Sequence, residues 1–85
     1  MKQFEHTVTT PGGIHARTTG RMVSLAAGYT CTVTVLYNGR KADLRRPIEL
    51  LALAVPQGQT VTVQTEGPDE DVCAAALQQH MQQTV

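Results

Sequence analysis

An α+β fold, with a mainly antiparallel sheet covered by helices on one face, is predicted by three observations. Short stretches alternate apolar and polar residues at the period of a strand, the stretches between them carry helical spacing, and an Asn-Gly pair joins two of the strands directly. The order reads β-α-β-β-α-β-α, without repeats, low-complexity segments or linkers.

The first strand is "KQFEHTVT", in which Phe4, His6 and Val8 share one face, and "TPGG" breaks it. "ARTTGRMVSLAAG" spaces Met22, Leu25 and Ala26 as a helix does, and Gly28 is expected in the left-handed position after the helix end. "TCTVTVLY" is β-branched and alternating, with Val33 and Val35 on one face. Asn38-Gly39 then suits a type I′ hairpin into the strand "RKAD". Pro47 fits the first position of a short helix, "PIELLALAV", because its missing N–H would have no partner there; "PQG" ends it. "TVTVQTEG" is the last strand. Asp69 is expected to cap the final helix, with Glu70 and Asp71 at the positive end of its dipole. Val72, Cys73, Ala76, Leu77, His80 and Met81 are its expected apolar stripe.

Composition narrows the function. Hydrophobic residues at 41% and charged residues at 16% of 85 describe one globular domain spanning 1–85. A domain this short buries only about 60% of its unfolded surface, so a deep pocket with a large cofactor is not expected and none is predicted. The net charge is zero and the aromatics that could stack on bases are Phe4, Tyr29 and Tyr37 alone, which argues against nucleic acid as a partner. The charges are nevertheless segregated. Every basic residue except Lys2 lies between Arg17 and Arg46, while Glu66, Asp69, Glu70 and Asp71 crowd one stretch. The N-terminus has no apolar leader segment and "LLALAV" is too short to span a membrane, so a cytoplasmic location without membrane insertion is expected. Cys31 and Cys73 lack metal-type spacing and are expected as reduced, partly buried thiols.

The chemistry concentrates in "GIHARTTG", residues 13–20. His15 stands just before the first helix, where the N–H groups of the opening turn have no intrahelical partner. A phosphoryl group on the imidazole would lie beside those donors and the positive end of the dipole, and Arg17 can reach the same oxygens with its planar fork. Nucleophile, donors and cation thus fall within three residues. The same residues also fit a histidine that only caps a turn, and the pattern alone leaves both readings open. No Ser/His/Asp arrangement, Walker loop or zinc spacing is present, and Gly12-Gly13 is too short for a dinucleotide loop. His6 and His80 fall on core-facing stripes, each with one ring nitrogen expected to be satisfied; they are given no metal role.

"PGGIHAR" and "YNGRKADLRRPIELLALAVPQGQTVTVQTEGPDE" resemble the HPr phosphocarrier family of the bacterial phosphoenolpyruvate:sugar phosphotransferase system, and the likeness runs over essentially the whole chain. It implies an open-faced β-sandwich, four antiparallel strands in the order 1-4-2-3 with three helices on one side. It implies also that His15 takes a phosphoryl group from enzyme I on Nδ1 and passes it to an enzyme IIA, with Arg17 supporting the group. Such a chain is a relay rather than a complete enzyme, and a monomer is expected. The docking surface carried over is Ala16, Gly20, Arg46, Pro47, Ile48 and Leu51. Ile48, Leu50, Leu51 and Leu53 cannot all face inward on so short a helix, so some of this apolar surface is expected to be exposed. Arg17, Arg21, Arg40, Lys41, Arg45 and Arg46 are expected to form a basic ring that speeds encounter with an acidic partner.

Two departures from the family pattern bear on performance. Thr18 stands where relatives usually carry a proline, and Thr19-Gly20 replaces small helix formers, so a looser first turn and slower transfer are expected. Arg46 stands where many relatives carry a phosphorylatable serine, which excludes that form of regulation. The alternative reading is an HPr-like regulatory or interaction domain that relays phosphate weakly or not at all.

Overall fold

The computed structural model describes residues 1–85. Its elements are β1 (Lys2–Thr7), α1 (Ala16–Ala26), β2 (Thr32–Tyr37), β3 (Arg40–Asp43), α2 (Pro47–Ala52), β4 (Thr60–Glu66) and α3 (Glu70–Thr84). The strands form one sheet ordered β1-β4-β2-β3, every pairing antiparallel. Phe4 lies opposite Val63 and Val63 opposite Val35, so the apolar alternation of three strands falls in register on one face. That face packs on α1, α2 and α3 through a single core that includes Val33, Val35, Val61, Val63, Met22, Leu50, Leu77 and Met81. The hairpin turn is as its sequence requires, with Asn38 at φ 55° and Gly39 at φ 78°.

Helix boundaries differ from expectation where tertiary contacts decide them. Gly28 is not left-handed. Its N–H bonds to the Leu25 carbonyl and that of Tyr29 to Ala26, so a tightened last turn satisfies the carbonyls a left-handed cap would have served. α2 stops at Ala52 because Ala54 turns left-handed, at φ 52°. That turn redirects the chain so that the Val55 carbonyl accepts the Ile14 N–H at 2.9 Å.

Asp69 precedes α3 but its side chain makes no cap hydrogen bond. Its carboxylate instead accepts the N–H groups of Thr30 at 2.8 Å and Cys31 at 2.9 Å, which hold its pKa below the ordinary carboxylate value. The buried stripe of α3 is Cys73, Leu77 and Met81, continued by Val85, a strict i, i+4 row; Val72 lies off it and is 58% exposed. Cys31 and Cys73 are free, buried thiols in contact. Burial, then the neighbouring Cys31 thiol, pushes Cys73 up to about 12, far from the reactive thiolate range.

His80 is half-buried and shares a 3.2 Å hydrogen bond with the Thr84 hydroxyl through Nε2. His6 is buried as its stripe predicts, but its Nε2 has no partner. Burial pushes the His6 pKa below its ordinary 6.5, against a smaller opposing pull from the Val85 backbone. The unfolded chain therefore binds this proton more readily than the folded one. The associated stability is complete above about pH 6.5 and is lost as the pH falls below it. The urea midpoint is expected to drop between about pH 7 and pH 5.5, above the carboxylate range, and His6→Phe is expected to flatten that slope. Identical slopes in the two proteins would contradict the assignment.

Candidate functional site

The site is built from the loop between β1 and α1. Its backbone is fixed from several sides: Thr9 and Thr10 donate to the Val85 carbonyl, Gly13 to Thr10 at 3.0 Å, and Ile14 to Val55. Ile14, 6% exposed, anchors the loop in the core immediately before His15. Gly13 has φ +76°, and a Cβ there would lie 2.1 Å from the Val55 carbonyl oxygen, so only glycine lets the loop rest on the Val55-Pro56 backbone.

His15 is the N-cap of α1, half-buried and extended at φ −127°, ψ −176°. Its ring faces the Thr18 N–H in the arrangement of a capping box without closing a full hydrogen bond. The reciprocal half is complete: the Thr18 hydroxyl accepts the His15 N–H at 3.0 Å and donates to the His15 carbonyl at 3.0 Å. The tie that a proline's ring would supply at position 18 is thus supplied by a hydroxyl. Thr18, 3% exposed, ties the turn with its side chain where a proline would have fixed it with a ring.

Beside the ring, the N–H groups of Ala16 and Arg17 find no acceptor within the chain. Arg17 is the second residue of α1, exposed, and its guanidinium makes no hydrogen bond or ion pair. Chemically this is a half-buried imidazole at a helix start, with unpaired donors in the same turn and an exposed, unpaired cation two residues on, the elements an incoming anion or phosphoryl group needs.

The remaining residues singled out by sequence are all exposed: Ala16 and Gly20 on α1, and Arg46, Pro47, Ile48 and Leu51 on and before α2, which packs against α1. α2 divides its apolar residues sharply. Leu50 is fully buried and Leu53 3% exposed, whereas Ile48 is 80% and Leu51 37% exposed. The basic ring is only partly free. Arg40 donates to the Ala52 carbonyl, Arg45 to the carbonyls of Thr30 and Cys31, and Arg46 lies 3.7 Å from Glu49, leaving Arg17 and Arg21 unpaired on α1 and Lys41 unpaired on β3, in the groove beside Leu36. No group of three or more His, Cys, Asp or Glu is placed to hold a metal, and no helix is long and apolar enough to cross a membrane. A surface groove of about 440 Å³, lined by residues including Leu36, Lys41 and Glu49, does not include His15.

Gly20 costs α1 helix propensity without a packing reason, since a Cβ there meets nothing within 4 Å. Gly20→Ala is expected to stabilise the protein by about 0.5–1 kcal/mol, raising the melting temperature by roughly 4–8 °C per kcal/mol. A lowered melting temperature would show a constraint that the helix geometry does not reveal.

Sequence reasoning missed the contact beneath Gly13 and the role of Thr18. The paired glycines of "PGG" were a signal for positive φ, but not for what the backbone would approach. The threonine follows His15 by three residues, as in a capping box, with hydroxyl and acceptor roles exchanged relative to the usual signature.

Known proteins resemble this chain along nearly its whole length. Residues 2–83 match the family model described as PTS HPr component phosphorylation site. The phosphocarrier protein HPr of Cupriavidus necator is 35% identical over 77 residues, covering 91% of this chain and 86% of that protein. Among solved structures, HPr-C-His from Thermoanaerobacter tengcongensis superimposes with a TM-score of 0.91 at 26% identity, covering 96% of this chain and 92% of that one. The Mycoplasma histidine-containing phosphocarrier protein gives 0.90 at 26% identity, covering 94% and 91%. With a matching family signature along nearly its whole length and the same strand order and helices, the chain belongs to the HPr phosphocarrier family of the PTS.

Proposed function

We propose that this chain accepts a phosphoryl group on His15 from enzyme I of the phosphotransferase system and passes it to an enzyme IIA. The observation that carries the reading is the conjunction at the start of α1: a half-buried imidazole, the unbonded N–H groups of Ala16 and Arg17, and an Arg17 guanidinium with no competing partner. In the transfer, a ring nitrogen of His15 attacks phosphorus as the bond to the donor histidine breaks. Such chemistry asks mainly for positioning and charge stabilisation. Arg17 and the helix N–H groups supply the second, and the loop fixed by Gly13 and Ile14 supplies the first.

Ala16, Gly20, Arg46, Pro47, Ile48 and Leu51 form the docking face, with exposed Ile48 and Leu51 as its apolar centre and Arg17 and Arg21 as free cations beside it. An interface that must form and dissociate at each transfer suits a small apolar centre with a charged rim. The protein acts as a cytoplasmic monomer in this reading, and the sugar never touches it. Arg46 cannot accept phosphate, so control by phosphorylation at that position does not operate.

The test is incubation with phosphoenolpyruvate and an active enzyme I, followed by mapping of the modified peptide. An acid-labile phosphate on the peptide containing His15 is expected. An unlabelled protein, alongside a labelled control carrier, would refute the proposal.

A further inference from the structure

We infer that Thr18 is a positioning residue for His15: its hydroxyl, bonded to both backbone polar groups of the histidine, sets the direction from which the imidazole meets phosphorus. The inference rests on the proposal that His15 is the phosphoryl acceptor.

A hydroxyl has one proton to donate and lone pairs to accept with. That of Thr18 uses both on one residue, accepting the His15 N–H and donating to the His15 carbonyl, each at 3.0 Å. The same carbonyl also accepts the Thr19 N–H at 2.9 Å, so the His15 peptide groups are held from within the helix on both sides. Thr18 is 3% exposed, which shields these bonds from exchange with water. No other acceptor in the chain reaches the His15 N–H. Removing the hydroxyl leaves that N–H unpaired and takes one of the two bonds from the His15 carbonyl, loosening the Cα–Cβ direction on which the ring is carried. A proline at this position would set its own φ but offer nothing to the histidine. The arrangement is therefore a different solution to the same positioning problem, not a relaxed version of one.

The two effects of such a residue, on the helix end and on the reaction, are separable. Thr18→Val keeps the branched shape and loses the hydroxyl; Thr18→Ser keeps the hydroxyl and loses the methyl. Two quantities are compared in wild type and both variants: hydrogen exchange of the His15 amide by NMR, and the rate of phosphoryl acceptance over a range of phosphorylated enzyme I concentrations.

In Thr18→Val the His15 amide is expected to exchange about tenfold faster or more, and the saturating rate to fall by roughly tenfold, because small misplacements of a reacting group are costly. The concentration giving half the maximal rate stays unchanged, since the docking face is untouched, and Thr18→Ser restores both readouts. The inference is overturned if Thr18→Val keeps the wild-type saturating rate, if the loss appears only in the half-saturating concentration, or if serine fails to rescue. Failure of wild type to take label refutes the function of His15 instead. Exchange of the His15 amide then still decides whether Thr18 holds it, and unchanged protection in Thr18→Val overturns that as well.

Discussion

Gly13→Ala is expected to destabilise the protein by about 2–3 kcal/mol. A left-handed conformation costs an L-residue roughly 1–2 kcal/mol. The methyl would also sit 2.1 Å from the Val55 carbonyl oxygen and 2.7 Å from the Pro56 Cα, both backbone atoms that cannot rotate away. Making room means moving the Val55 carbonyl off the Ile14 N–H, at a further cost of about 1 kcal/mol. At roughly 4–8 °C per kcal/mol, the melting temperature should fall by at least about 8 °C. Gly12 provides the control: its φ is +83°, but the nearest atom to an added Cβ is His15 Cδ2 at 4.0 Å, so Gly12→Ala bears the conformational cost alone. Equal thermal shifts for the two variants would show that the contact with Val55 is not what requires glycine at position 13.

His15→Ala is expected to abolish phosphoryl acceptance completely while leaving the fold intact. The histidine contributes little to stability through its ring, which is half-buried and closes no cap hydrogen bond. The bonds that secure this turn run from the Thr18 hydroxyl to the His15 backbone, and alanine keeps those backbone atoms. The stability change should accordingly stay within about 1 kcal/mol, the usual scale of an N-cap replacement. Arg17→Ala should give an intermediate result, because the helix N–H groups remain. Loss of one charge-assisted hydrogen-bonding group, at about 1.5–3 kcal/mol, corresponds to a rate reduction on the order of ten- to a hundredfold. Label appearing on His15→Ala would place the acceptor elsewhere; a melt shifted by several kcal/mol would mean that the imidazole is part of the scaffold.

The architecture was legible wherever a local pattern and its tertiary consequence coincide. Alternation in "KQFEHTVT" and "TVTV" gives the strands because burial on one face is the only thing that pattern does well. Asn38-Gly39 gives the hairpin because few pairs accept two left-handed residues. Pro47 opened α2 as expected, and the exposure of Ile48 and Leu51 followed from counting apolar residues on a helix too short to bury them all. What remained hidden depends on residues distant in sequence. Asp69 is a reasonable cap by local rules, yet its carboxylate serves the Thr30-Cys31 backbone. Val72 fits a helical stripe, but the neighbouring strands admit only the row through Cys73, Leu77 and Met81. Ala54 carries no sign of its left-handed turn, which brings the Val55 carbonyl to the Ile14 N–H.

The candidate site divides in the same way. The placement of His15 and Arg17 at the start of α1 was legible because a helix start carries local signals in the sequence. Their support was not, since Thr18 reads locally as a missing proline and only its hydrogen bonds show that it replaces one.

A single-turnover chase tests the proposed relay most directly. The protein is phosphorylated by enzyme I, separated from it, and mixed with an enzyme IIA in slight excess while label on each protein is followed in time. A carrier gives up its phosphoryl group to the acceptor, so label should leave His15 and appear on the enzyme IIA in equal amount, far faster than it is lost to water. Label that stays on His15, or leaves it only by hydrolysis with several enzyme IIA proteins tried, would contradict the account and make the chain an end point of phosphorylation rather than a relay.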